Sequence, residues 1–231
     1  MSSNELKMGR RAACAGILGM GGGLLLADPS SGEPACEKPK LPCLKNSQFY
    51  GTDGKFDLEA AKDAYLAFLD AVGYRYNPKI RETVWVTDFG LGRFTEVGLA
   101  ANFWIDDKKW NYATCDVFLL PNQMIPEHWH VALESEGVKA KMESWLVRYG
   151  STFAYGEGEP TPKLSVKIHP SEAKYVTVMH ETPLRLGEVT GIQRPLEVHW
   201  QQAGPEGAIV TETSTYHSGA AIRFTNPNIK L

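Results

Sequence analysis

Apolar and polar positions follow two different rhythms along this chain. Over residues 58–72 the apolar positions Leu58, Ala61, Tyr65, Leu66, Phe68, Leu69 and Val72 recur at helical spacing. Asp57 is placed to cap this helix and Gly73 to end it. Beyond Pro78 the rhythm shortens. Runs rich in Val, Ile, Trp, Tyr, Phe and Thr, over 83–86, 98–105, 112–120, 145–149, 164–168, 175–179 and 207–213, are punctuated by Gly or Pro. Short runs broken in this way predict a mainly β domain, a barrel or sandwich of antiparallel strands, with one short helix packed outside it.

The first residues read as an address. Arg10 and Arg11 precede a weakly apolar, glycine-rich stretch over 12–27, which the small residue Ala27 closes before Asp28 and Pro29. That order of charge, apolar region and small residue is an export signal over 1–27, and the paired arginines resemble twin-arginine signals of proteins exported folded to the periplasm. Five glycines within the stretch would make a poor helix in a water-soluble core. Residues 28–55, rich in Pro, Ser, Gly and Lys without periodicity, read as a linker to a domain over 56–231. Once the signal is removed, no stable membrane anchor is expected, because the stretch is too short and too diluted for a comfortable span.

Composition narrows the partners. With 24 basic against 27 acidic residues the net charge is −3, so no global basic field exists to hold nucleic acid or an anionic surface. Of four cysteines, Cys14 lies in the signal; Cys36 and Cys43 could pair in an oxidising compartment, leaving Cys115 single.

The chemistry rests on histidine. His128-Trp129-His130 puts two imidazoles at i and i+2, on one side of a strand, where both can reach one metal ion. Glu143 opens a run to Gly150 that fits E(x)6G. His199 follows far downstream, just ahead of the strand over 207–213.

HxH, then Glu, then a distant His is the arrangement of the cupin jelly-roll barrel, and a more specific resemblance lies within it. Val86-Thr-Asp-Phe-Gly-Leu-Gly92 is similar to the VTDFGLG motif of the bacterial D-lyxose isomerases, sugar isomerases of the D-lyxose/D-mannose type. Pro126-Glu-His-Trp-His130 resembles the family's PxHxH, and Lys141-Met-Glu143 its K-x-E. The run from Gly207 to Thr215, with Arg223-Phe224 beyond it, resembles the family's terminal GEVST and RF. The resemblance spans about 57–228 and implies metal ligands His128, His130, Glu143 and His199, a divalent ion that in the family is usually manganese, and a homodimer. Iron, cobalt, nickel and zinc accept the same donor set. The chain departs from the family pattern twice. Residues 131–140 intervene between the second His and Glu143, so Glu134 and Glu136 compete for the carboxylate role; and Tyr216-His-Ser-Gly-Ala-Ala replaces an Asn-Asp-Asp run.

An aldose–ketose isomerase must move a proton between adjacent carbons through an ene-diol, which requires a base and charge stabilisation. Glu212 is the candidate base and Lys141 the candidate proton donor or charge stabiliser. A dioxygenase using the same ligands, or an exported cupin that binds sugar without catalysis, are the alternatives. Asp88 with Phe89-Gly-Leu-Gly92 is expected to build a turn; Trp85, Phe103, Trp104, Trp110, Trp145 and Trp200 are expected in the core or on a dimer surface, with a pocket lining by Trp129 and Trp200, beside ligands, as the alternative; His217 is left open.

Overall fold

The structure is a computed structural model that describes Leu41 and residues 43–231. The expected signal, the Arg10-Arg11 pair and Cys36 of the possible Cys36–Cys43 bridge lie outside the described residues.

Helix α1, Leu58–Ala71, forms where its periodicity predicts. The Asp57 carboxylate accepts from the Ala60 amide at 3.0 Å, satisfying one of the donors left open in the first turn. At the other end Gly73 adopts a φ of 68°, its amide donating to Asp70 and that of Tyr74 to Leu69, which is the Schellman arrangement. A one-turn helix α2, Ile80–Thr83, leads into the strands.

These are β1 (Trp85–Thr87), β2 (Leu99–Asp107), β3 (Tyr112–Leu119), β4 (Met124–His130), β5 (Glu143–Gly156), β6 (His180–Arg185), β7 (Val189–Gly191), β8 (His199–Ser214) and β9 (Ile222–Phe224), all paired antiparallel. The long strands β5 and β8 run side by side and bend together. Their outer ends pair with different neighbours, giving one layer β1-β2-β3-β8-β5-β7 and a second β9-β4-β8-β5-β6. The result is a cupin-like jelly roll whose hydrogen bonding does not close into a continuous barrel. Two glycines make the bend: Gly150 and Gly207 sit at φ 68° and 77°, and a Cβ on Gly150 would overlap the Gly207 carbonyl oxygen.

Alternation of side chains along the strands divides the core. Inward positions, among them Leu99, Ala101, Val117, Val147 and Val210, pack between the layers. The outward positions Ala100, Phe118 and Ile209 of the first layer meet Tyr65, Phe68 and Leu69 of α1, as an external helix should. Leu44 and Phe49 join that cluster and the Tyr50 hydroxyl donates to Asp88 at 2.8 Å. The described part of the linker expected over 28–55 therefore packs on the domain from Leu41 onward, because Leu41, Leu44, Phe49 and Tyr50 join the cluster of α1.

The runs 164–168 and 175–179, expected as strands, are not strands. They lie as irregular chain over the outer face of the second layer, covering Met124, Tyr155 and Trp200. Side chains take the place of a ladder there: the buried Glu127 carboxylate accepts from the amides of Thr177 and Val178 at 2.7 and 2.9 Å, and the Trp200 indole donates to the Val178 carbonyl.

Candidate metal centre

Between the two layers the structure brings His128, His130, Glu143 and His199 together, with one ligand-type atom from each inside a 4.8 Å cluster. The strand pattern explains how. His128 and His130 share a face of β4, and His128 stands directly opposite His199 in the β4–β8 register. Pro126 and Glu127 fall at an irregularity in that pairing. Pro126 has no amide to lose from the ladder, and its carbonyl accepts from His128 Nδ1 at 2.8 Å. The Glu197 carbonyl accepts from His199 Nδ1 at 2.9 Å. Both rings are thereby oriented with Nε2 toward the cluster, the usual way in which an outer hydrogen bond sets a ligating imidazole. Glu143 enters from the other layer as the first residue of β5. Glu134 and Glu136 sit on an exposed 3-10 turn, outside the cluster.

The cluster contains what a cation would complete. His130 Nε2, His199 Nε2 and Glu143 Oε1 are buried and have no hydrogen-bond partner of good geometry, although Glu143 Oε1 lies 3.2 and 2.7 Å from the two imidazole nitrogens. Burial pushes His128 well below the ordinary histidine range, with His199 and His130 adding to the effect, and burial also lowers His130. Burial alone would raise Glu143; Lys141, then His130 and His199, outweigh it and hold the carboxyl well below the usual range. For His199 the charge of Glu143 outweighs burial and raises its proton affinity. A cation bound here would take the place of that proton. Neutral imidazoles and an anionic carboxylate are the protonation states that divalent metal ions require, so the residues fit such an ion.

Lys141 is buried and bridges two carboxylates, Glu143 Oε2 at 2.6 Å and Glu212 Oε1 at 2.5 Å. Burial opposes its charge, but Glu143 and Glu212 outweigh that and keep it protonated. Glu212 lies near the C-terminal end of β8, opposite Trp145 on β5 and Cys115 on β3, and faces the same cavity. The rest of the wall is mostly apolar, with Leu99, Phe103, Val117, Trp145 and Phe224 prominent. Burial pushes the Cys115 thiol up, away from nucleophilic use.

Trp200 is a core residue, as expected, and other aromatic residues line the cavity. Trp129 and Trp200 do not line the cavity; Trp200 points outward and stacks on Tyr155 at 3.7 Å, because neighbours of a ligand on a strand face the opposite side. Trp85 and Trp145 line it instead. Asp88 does build a turn, accepting from the Gly90 and Gly92 amides, and this turn aims Phe89 into the cavity at a φ of 56°. Two further polar residues reach the cavity. Gln201, two residues beyond His199, is on its face of β8, a relation that strand periodicity alone could have revealed. His217 carries no such sequence signal.

No family model matches the chain. Among characterised proteins it is 34% identical over 173 residues to a D-lyxose ketol-isomerase of Thermofilum sp. (strain ex4484_79), covering 75% of this chain and 93% of the relative. The chain belongs to the D-lyxose isomerase family. A D-lyxose ketol-isomerase of Cohnella laeviribosi is 36% identical over 74% of this chain and 91% of its own length. A D-lyxose/D-mannose isomerase of Thermosediminibacter oceani is also 36% identical, over 74% and 88%. The D-lyxose isomerase fold extends to more distant solved structures. L-ribose isomerases of Cellulomonas parahominis and Acinetobacter sp. DL28 superpose with TM-scores of 0.58 and 0.56 at 13% and 14% identity, over 79% of this chain and 95% of theirs.

Proposed function

We propose that this D-lyxose isomerase family member interconverts a free aldose and its ketose, D-lyxose and D-mannose being the first candidates, with His128, His130, Glu143 and His199 holding a divalent ion. The observation that carries the reading is Lys141 buried between the ligand-type Glu143 and the non-ligating Glu212, in a cavity whose remaining walls are mostly apolar. A bound divalent ion supplies Lewis acidity toward a carbonyl and its neighbouring hydroxyl. Manganese is the proposed ion, on the family resemblance and not on the donor set.

Within this reading the chain's own groups divide the work. Glu212 takes the proton from carbon 2 of the aldose and returns it to carbon 1, while the hydroxyl proton of O2 passes to O1, so that no net proton is gained or lost. Lys141 holds Glu212 in place and stays charged while negative charge develops on the substrate oxygens. Apolar walls surround the reacting end, and Trp145 and Phe103 confine the carbon chain. The Nδ1 hydrogen bonds of His128 and His199 fix the tautomer and keep both imidazoles aimed.

Two further parts of the proposal lie away from the cavity. Export to the periplasm rests on Arg10-Arg11 and the glycine-rich stretch that follows. Pairing as a homodimer rests on Trp104, Ile105, Trp110 and Tyr112, large side chains exposed along the β2–β3 hairpin.

The test is to incubate the manganese-loaded protein with D-lyxose, D-mannose, D-xylose and L-ribose in heavy water and follow the products by NMR. The expected result is ketose formation from at least one aldose, with solvent deuterium entering at the reacting carbon. Oxygen consumption without ketose, or no conversion of any aldose, would refute the proposal.

A further inference from the structure

We propose that His217 recognises a sugar hydroxyl other than those on the two reacting carbons, and so determines which aldoses the cavity accepts. The inference rests on the isomerase reading and concerns the part of the cavity that this reading leaves unassigned.

The polar groups facing the cavity divide into sets. His128, His130, His199 and Glu143 converge on one point, and Lys141 and Glu212 are bound to each other beside it. Gln201 sits on the His199 face of β8, in the second layer. His217 approaches from the segment after β8 and packs its ring against Phe103 of the first layer, with centroids 5.1 Å apart. Its backbone is held by a 2.9 Å hydrogen bond from its amide to Asp106 Oδ1, and the amide of Tyr216 donates to Asn111. The ring position is thus set by the hairpin beneath it and not by any bond to the ring.

His217 Nδ1 is buried and has no hydrogen-bond partner among the described residues. Buried polar atoms are rarely left so, and the other unpaired ones around this cavity, on His130, His199 and Glu143, all belong to the cation cluster. By the same reasoning His217 Nδ1 awaits a partner that arrives with the ligand. An imidazole nitrogen can accept from or donate to a hydroxyl, depending on its tautomer. A five- or six-carbon sugar engages two adjacent oxygens at the cation end, and its remaining hydroxyls enter a space whose walls are chiefly hydrocarbon. A single well-placed polar atom in such a wall discriminates strongly, because a substrate without the matching hydroxyl leaves it unpaired.

The experiment compares wild type with His217→Phe, which keeps the packing on Phe103, and His217→Gln, which keeps a polar atom. Binding of ribitol, xylitol and D-arabinitol, which cannot be isomerised, is measured by calorimetry on the manganese-loaded proteins. Kinetics on the four aldoses and metal content are measured alongside. The expected result is that His217→Phe binds the best pentitol about tenfold more weakly, with His217→Gln between. KM should rise by about the same factor, kcat should change less, and metal content should be unaltered, while the spread of kcat/KM across the aldoses narrows. Equal pentitol binding and unchanged aldose preference in His217→Phe would overturn the inference, as would absence of pentitol binding by the wild type. Pentitol binding that depends on His217, in a protein that forms no ketose, would uphold the inference and sink the isomerase reading.

Discussion

At the scale of single residues, the centre of the account is a buried lysine between two acids. Lys141 neutralises Glu143, which faces the imidazoles, and fixes Glu212, which does not. The Glu212→Gln variant keeps the shape and still accepts from Lys141, but cannot carry a proton. It should therefore bind metal as the wild type does and lose about 10²- to 10⁴-fold in turnover. Full activity in Glu212→Gln, with metal content measured on the same sample, would remove Glu212 from the mechanism. His217 has a separate consequence for stability. Burial, with Lys141 and His130 nearby, pushes its pKa from 6.5 down to about 3. Below 6.5 the unfolded chain binds a proton that the fold refuses, so His217 costs stability as pH falls from 6.5 toward 3, at about 1.4 kcal/mol per pH unit. Between pH 7 and pH 5, wild type should lose about 2 kcal/mol more unfolding free energy than His217→Phe, read by urea denaturation at both pH values. Parallel losses would show that the ring is not held neutral.

At the scale of elements, legibility followed how local the cause is. The cap, the apolar stripe and the ending of α1 are set within one segment, and all are visible in the residues 57–73. The pairing of His128 with His130 needs only the two-residue period of a strand, and Glu143 is distinguished from Glu134 and Glu136 by the strand it begins. The runs 164–168 and 175–179 look like strands because β-branched and aromatic residues suit any half-buried surface, including irregular chain laid over a sheet. The lengths of β5 and β8 were hidden for a different reason: the glycines that bend each strand from one layer into the other resemble strand ends. Those bends are testable. Gly150→Ala would place a Cβ against the Gly207 carbonyl at a positive φ and should cost about 3 kcal/mol or more. Gly187→Ala has a similar φ but open space around it and should cost only about 1 kcal/mol. Equal losses in thermal or urea unfolding would mean that the bend does not depend on the close approach. The position of His217 on the cavity was not legible in the sequence, because it depends on a cavity assembled from both layers and not on any periodicity near residue 217.

At the scale of the whole molecule, the two layers contribute different halves of one centre. The second layer supplies the three imidazoles on β4 and β8, and the first supplies Glu143, Lys141 and Glu212 around the start of β5 and the far half of β8. A cation at their meeting point would join the layers, and the α1 cluster and the 164–179 segment cover their outer faces. The central claim is that sugar isomerisation depends on that cation. Its most direct test is ketose formation from D-lyxose and D-mannose by protein stripped with a chelator and then resupplied with manganese. The account predicts that conversion is lost on stripping and returns with the metal, in step with the amount bound. Conversion that persists in demonstrably metal-free protein, or that fails to appear when the cluster is loaded, would contradict it.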